Sequence, residues 1–228
     1  MRSTEKGHEI KKATFESQGK IVSHLVLLGD SIFDNAEYVA GAPAVIDQVR
    51  SMLPKNWSVT LLAVDGNVTA DVHEQVKRIP SGATYLVMSM GGNDALGALP
   101  QLHSLTPLPM MQALRLLADI QSKFARDYVD ILRTVCASDI PTVCCTIYDQ
   151  VPGLTPELRT ALSIFNDVIL RECARFQIPV LDLRAICTEA ADYSMVSPIE
   201  PSNAGGQKIA SRIAGIVLGD AARCQIHA

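Results

Sequence analysis

Five short apolar runs, each followed by a longer segment with apolar residues at helical spacing, constrain this chain more than any other feature of its sequence. The runs are HLVLLG (24–29), WSVTLLAV (57–64), ATYLVMSM (83–90), IPTVCCTIY (140–148) and IPVLDL (178–183). Each has the length of a core strand, and runs this apolar suit strands covered on both faces. Between them, residues 38–53, 68–79, 107–137 and 155–177 carry leucine, valine and alanine every three or four positions and are predicted as amphipathic helices. A last helix is expected from Asn203 to Ala222. Strands that alternate with helices in this way make parallel βα units, so the predicted class is α/β, a doubly wound sheet with its ligand site at the carboxyl ends of the strands.

No repeat or long linker interrupts the pattern, which predicts a polar lead-in over residues 1–20 and one domain over 21–222. The net charge of −4, with scattered lysines and arginines, leaves no basic patch for nucleic acid. The first residues lack the apolar core of a signal peptide, and no stretch approaches the ~20 apolar residues of a membrane span. A cytoplasmic location is therefore expected. The six cysteines, Cys136, Cys144, Cys145, Cys173, Cys187 and Cys224, lack CxxC spacing and are expected as thiols, without disulfides or a metal.

Function is to be sought just after each strand. The first run ends in GDSIFDN, which places Gly29, Asp30 and Ser31 at a strand-to-helix turn. A serine there can be a nucleophile, and it can equally cap the next helix. The second run is followed by Asp65 and Gly66, where a glycine can turn its N–H toward an oxyanion or simply make a turn. The third leads into Gly91, Gly92 and Asn93, two glycines for a tight turn and a neutral amide donor.

GDSI at 29–32, the glycine at 66 and GGND at 91–94 follow successive strands, in the order seen in the SGNH/GDSL hydrolases, and from about residue 21 to 220 the chain resembles that family. The resemblance implies a flavodoxin-like three-layer α/β/α sandwich with a five-stranded parallel sheet. It also implies Ser31 as nucleophile, with the Ser31 N–H, Gly66 and Asn93 as the oxyanion hole.

The family's last block normally reads Asp-x-x-His-Pro, with a glycine four residues after the proline. Here the matching stretch is SPIEPSNAGGQKIA, and aligning Pro201 and Gly205 puts Ser197 in the aspartate's place and Glu200 in the histidine's. Three readings stay open. Glu200 itself can be the base, made more basic by desolvation beside Ile199 and Pro201. A histidine from elsewhere can serve, His103 in the region after GGND being better placed than His8, His24, His73 or His227. Or the site is silent and only binds.

Asp30, Asp34 and Asn35 are expected as solvated caps, with Asp30 also a substrate contact. Gly92, Asp94 and Tyr148 are further contact candidates, and Asp149 is expected beside Tyr148 at the same sheet edge. The proline-punctuated stretch 97–111 is expected either as a lid whose leucines and methionines meet an acyl chain or as a packed connection. The resulting expectation is a serine hydrolase acting on a small acyl ester, with thioester cleavage or acyl transfer open to the same geometry, and requiring no metal or organic cofactor. The rival is a ligand-binding or regulatory pseudohydrolase. A flavodoxin-like redox protein shares the topology but finds no support in a chain with 5% aromatics.

Overall fold

The computed structural model describes residues 23–102 and 108–219. All five expected strands form: β1 (Ser23–Gly29), β2 (Trp57–Leu61), β3 (Tyr85–Ser89), β4 (Thr142–Cys145) and β5 (Val180–Leu181). They pair in parallel in the order β2-β1-β3-β4-β5. This is the flavodoxin-like order, and its topological switch point, the crevice where a doubly wound sheet opens, lies between β1 and β3.

Successive side chains of a strand face opposite sides of the sheet, and both sides are buried. Leu25 and Leu27 face α1 (Val45–Met52) and α6 (Asn203–Leu218) in one core that also takes Val87, Val143 and Leu181. Val26, Leu28, Leu86 and Met88 face the other core, with α4 (Met110–Cys136) and α5 (Pro156–Arg175). In α4 the buried residues Phe124, Tyr128, Ile131, Leu132 and Val135 form one helical stripe. Burying each such side chain contributes about 1.5–3 kcal/mol. The sheet is thus the middle layer of three.

Helix ends follow local chemistry. The Thr155 hydroxyl caps α5 by accepting from the Leu158 N–H, with Pro156 at the first helical position. Ser202 caps α6 by accepting from the N–H groups of Ala204 and Gly205.

Several boundaries differ from the expected ones. The 38–53 segment splits into a short 3-10 turn (Ala36–Tyr38) and α1, because Gly41 and Pro43 interrupt it. The 68–79 segment becomes a 3-10 turn (Thr69–Asp71) and a short α2 (Val72–Val76), and α4 starts only after Pro109. A helix, α3 (Gly92–Leu102), was not expected at all. Two features of composition hid it, the glycines at its start and Pro100 inside it; so near the helix end, Pro100 forfeits one backbone hydrogen bond rather than a run of them.

Cys144, Cys145, Cys173 and Cys187 are buried free thiols and Cys136 is exposed. No group of three or more potential metal ligands occurs among the described residues. Among the same residues no helix is long and apolar enough to cross a membrane. The lead-in 1–20, His8, Leu105, Cys224 and His227 lie outside the described residues, as does His103.

Candidate active site

The turn after β1 begins with a backbone forced by packing. Gly29 has φ +125°, and its amide and carbonyl are both held by one side chain: the Gly29 N–H donates to Gln75 Oε1 and Gln75 Nε2 donates to the Gly29 carbonyl, each at 2.7 Å. The chain then winds into a single helical turn, in which the N–H groups of Phe33 and Asp34 both donate to the Asp30 carbonyl. Ser31 sits at its start, buried at 6% exposure at the edge of a cavity of about 270 Å³.

Glu200 reaches the same cavity from the loop before α6. The carbonyls of both its neighbours are pinned. Tyr148 Oη donates to the Ile199 carbonyl at 2.6 Å and Asn35 Nδ2 to the Pro201 carbonyl at 3.1 Å. The Ser194 N–H donates to Glu200's own carbonyl at 2.8 Å. The carboxylate is buried and its Oε2 has no hydrogen-bond partner. Desolvation pushes its pKa above the ordinary 4.5, and the facing Ser31 hydroxyl opposes that rise. Ser31 and this carboxylate line the same cavity, and a hydroxyl beside a partly desolvated carboxylate is what a proton transfer between them needs.

Donors without partners lie in the turns nearby. Among the described residues the N–H groups of Ser31 and Gly66 donate to no protein acceptor. Asn93 lines the cavity and gives one amide proton to the Asn67 carbonyl at 2.9 Å, leaving the other free. Gly66 has φ +80° in an exposed turn and lies outside the cavity lining. Its loop is anchored twice: Asp94 Oδ2 accepts from the Thr69 N–H and hydroxyl, both at 2.9 Å, and Gln75 Nε2 donates to Asn67 Oδ1 at 2.9 Å.

Asp30, Gly92 and Tyr148 line the cavity as expected of contact candidates, but Tyr148 has committed its hydroxyl to Ile199. Asp94 and Asp149 do not line it. Three carboxamides and carboxylates expected as solvated caps are tied into the fold instead. Asn35 is fully buried, linking Pro201 to the Val45 N–H that opens α1. Asp34 accepts from the Asp65 N–H at 3.0 Å. Asp30 is buried and accepts from the Ile32 N–H at 3.2 Å.

Gln75 was missed altogether. The signal was present, since it interrupts the apolar stripe of Val72, Val76 and Ile79, and a polar side chain on a buried face must find partners. Of the described histidines, His24 hydrogen-bonds Thr60 Oγ1 at the opposite end of β1 and His73 lies on α2; neither lines the cavity.

Burial raises the Asp30 pKa to about 7, with the charges of Glu200 and Asp94 adding to the effect. A carboxyl whose pKa rises on folding keeps its proton in the folded chain after the unfolded chain has lost it. Its stabilising contribution is full below the ordinary value of 3.8 and is lost as pH climbs through about 7. Asp30→Asn, which keeps an acceptor for Ile32, is therefore expected to melt above the wild type at pH 8, with the gap closing toward pH 4. Melting curves across that range check it, and a gap independent of pH refutes it.

The model of the GDSL-like Lipase/Acylhydrolase family matches residues 27–208, from within β1 into α6. The chain belongs to this family. The match takes in every turn described above, including the Glu200 loop. No curated protein is matched by this GDSL-like sequence. Solved structures similar to it include the lipase Lip_vut3 from a goat rumen metagenome, 20% identical, with a TM-score of 0.65 over 85% of this chain and 97% of that one. The lipase/acylhydrolase from Enterococcus faecalis is also 20% identical, with a TM-score of 0.60 over 90% of this chain and 100% of that one. The acetyl xylan esterase AlAXEase is 14% identical, with a TM-score of 0.64 over 85% and 99%. At these identities the structures establish a shared fold for this GDSL-like chain. In this chain Gly205, the glycine of the last block, leaves no room for a side chain, because a Cβ there would lie 2.1 Å from the Asp192 carbonyl oxygen.

Proposed function

We propose that the protein is a serine hydrolase of small acyl esters in which Ser31 is the nucleophile and Glu200 the base. One observation carries the reading: Ser31, the buried Glu200 with one carboxylate oxygen unpartnered, and the Asn93 amide line a single cavity. Ser31 Oγ attacks the ester carbonyl as Glu200 takes its proton, and the carbonyl oxygen becomes an oxyanion. The Ser31 N–H, the Gly66 N–H and the free Asn93 amide proton stabilise that charge. Glu200 returns the proton to the departing alkoxide, leaving an acyl-serine. Water then attacks the acyl group with Glu200 again accepting the proton; as the tetrahedral intermediate collapses, Glu200 returns that proton to the departing Ser31 Oγ, releasing the acid and restoring free Ser31 and the ionised carboxylate. Thiolate or a second alcohol fits the same scheme as leaving group or acceptor. No step needs a metal or organic cofactor, and the enzyme is expected to act in the cytoplasm.

A fluorophosphonate probe tests this reading. The wild type is expected to gain one adduct at Ser31 by mass spectrometry, and Ser31→Ala none. Absence of an adduct from folded wild type would sink the hydrolase and favour a protein that binds esters without cleaving them.

A further inference from the structure

The cavity that ends at Ser31 has two chemically different parts. Its polar side chains are Asp30, Ser31, Ser89, Asn93 and Glu200, from the turns after β1 and β3 and the loop before α6, together with Tyr148, whose hydroxyl is already bonded. Everything else that lines it is apolar. One wall is α3, which starts beside Asp30 at Gly92 and presents Leu99 and Leu102 to the cavity; α5 contributes another, with Leu158, Leu162 and Phe165. Pockets of about 300–1,000 Å³ hold drug-sized ligands, so 270 Å³ is small for a two-chain lipid, and an acetyl group would leave most of it empty.

From these walls we infer that the acyl part of the substrate is a single straight chain of medium length, about eight carbons, lying between α3 and α5 with its carbonyl at Ser31. This rests on the proposed serine hydrolase. Length supports it independently of volume. From Asn93 to Leu102 the α3 wall runs about 14 Å at 1.5 Å per residue. An extended hydrocarbon advances about 1.3 Å per carbon, given tetrahedral angles and C–C bonds of ~1.5 Å, so eight carbons, the ester carbonyl included, fill most of that wall. The chemistry agrees, because no polar group along the apolar walls could satisfy the hydroxyls of a sugar, and burying those unpaired would be costly. The part of stretch 97–111 that meets the chain is therefore its leucines; Met110 and Met111, expected to share that contact, are exposed at the start of α4 and do not line the cavity.

The experiment is a series of p-nitrophenyl esters from acetate to palmitate with the wild type, Leu162→Trp and the milder Ala161→Leu, both on the α5 wall. For the wild type, kcat/KM is expected to rise about threefold per methylene up to octanoate and to fall by laurate. Leu162→Trp is expected to move the optimum to butyrate or shorter, and Ala161→Leu to move it by two carbons. A preference for acetate, or an optimum unmoved in both folded variants, overturns the inference. If no ester shows Ser31-dependent cleavage, the hydrolase reading fails, and the cavity is judged by calorimetry with neutral octanamide and acetamide on Ser31→Ala. Octanamide binding that Leu162→Trp abolishes upholds the acyl subsite, and equal weak binding of both amides overturns it.

Discussion

Glu200→Gln is expected to lower kcat/KM for a p-nitrophenyl ester by about a hundred- to ten-thousandfold while leaving the melting temperature unchanged or higher. The two readouts separate catalysis from packing. Glutamine has the shape of glutamate, so the ties from Tyr148, Asn35 and Ser194 to the surrounding backbone persist. It cannot accept the Ser31 proton, and general-base catalysis contributes about 10²–10⁴ in rate. The charge it removes is buried, with one oxygen unpartnered, and an uncompensated buried charge weakens a fold. A Glu200 that merely held the loop would give the opposite pattern, with activity kept or lost only in step with stability. Full activity in Glu200→Gln would sink the proposed base.

The pH profile carries the same argument. Only the ionised carboxylate can take the serine proton, so activity should fall as pH drops through the Glu200 pKa. Desolvation has lifted that pKa, so the acid limb should lie above the ordinary 4.5. In Glu200→Gln the limb should vanish from whatever activity remains.

The fold was legible in the sequence because continuous apolar strands and amphipathic helices differ in period, and the turns of the candidate site were legible because glycine, serine and asparagine mark the ends of β1 and β3. What escaped was tertiary. Asn35, Gln75 and the Tyr148 hydroxyl act through partners 166, 46 and 51 residues away, and no local pattern announces such pairings. Asp30 and Asn35 were misjudged for the same reason: a polar residue in a turn looks like a solvated cap until the neighbouring loop that buries it is in place. Helix α3 was hidden by its own glycines and proline, although its leucines line the same cavity as Ser31. Gly66, singled out by motif, lies in an exposed turn outside the cavity lining, a position set by how its loop hangs from Asp94 and Gln75.

Gly29→Ala should unfold the protein at far lower temperature than its one added methyl suggests. A Cβ at position 29 would lie 1.6 Å from the Ser89 carbonyl oxygen and 2.6 Å from its carbon, both backbone atoms of the paired strand β3. Nothing flexible can move aside, so β1 and β3 must separate at the point where the sheet opens. The φ of +125° adds strain that only glycine avoids. Damage of this kind belongs among the rare substitutions costing roughly 4 kcal/mol or more, which in a chain of this size lowers Tm by about 8–16 °C. Gly41→Ala is the control: its φ of +83° is also left-handed, but a Cβ there meets nothing within 4 Å. It should cost only about 1–2 kcal/mol. Equal losses in the two variants would mean that backbone conformation alone sets the requirement at position 29. A much larger loss in Gly29→Ala, together with a collapse of Ser31 labelling even below its Tm, would tie the close contact of β1 with β3 to the geometry of the nucleophile turn. That turn leaves β1 at Gly29 and Asn93 leaves β3 four residues after Ser89, so one methyl between the strands displaces Ser31 and Asn93, the proposed nucleophile and oxyanion donor, together.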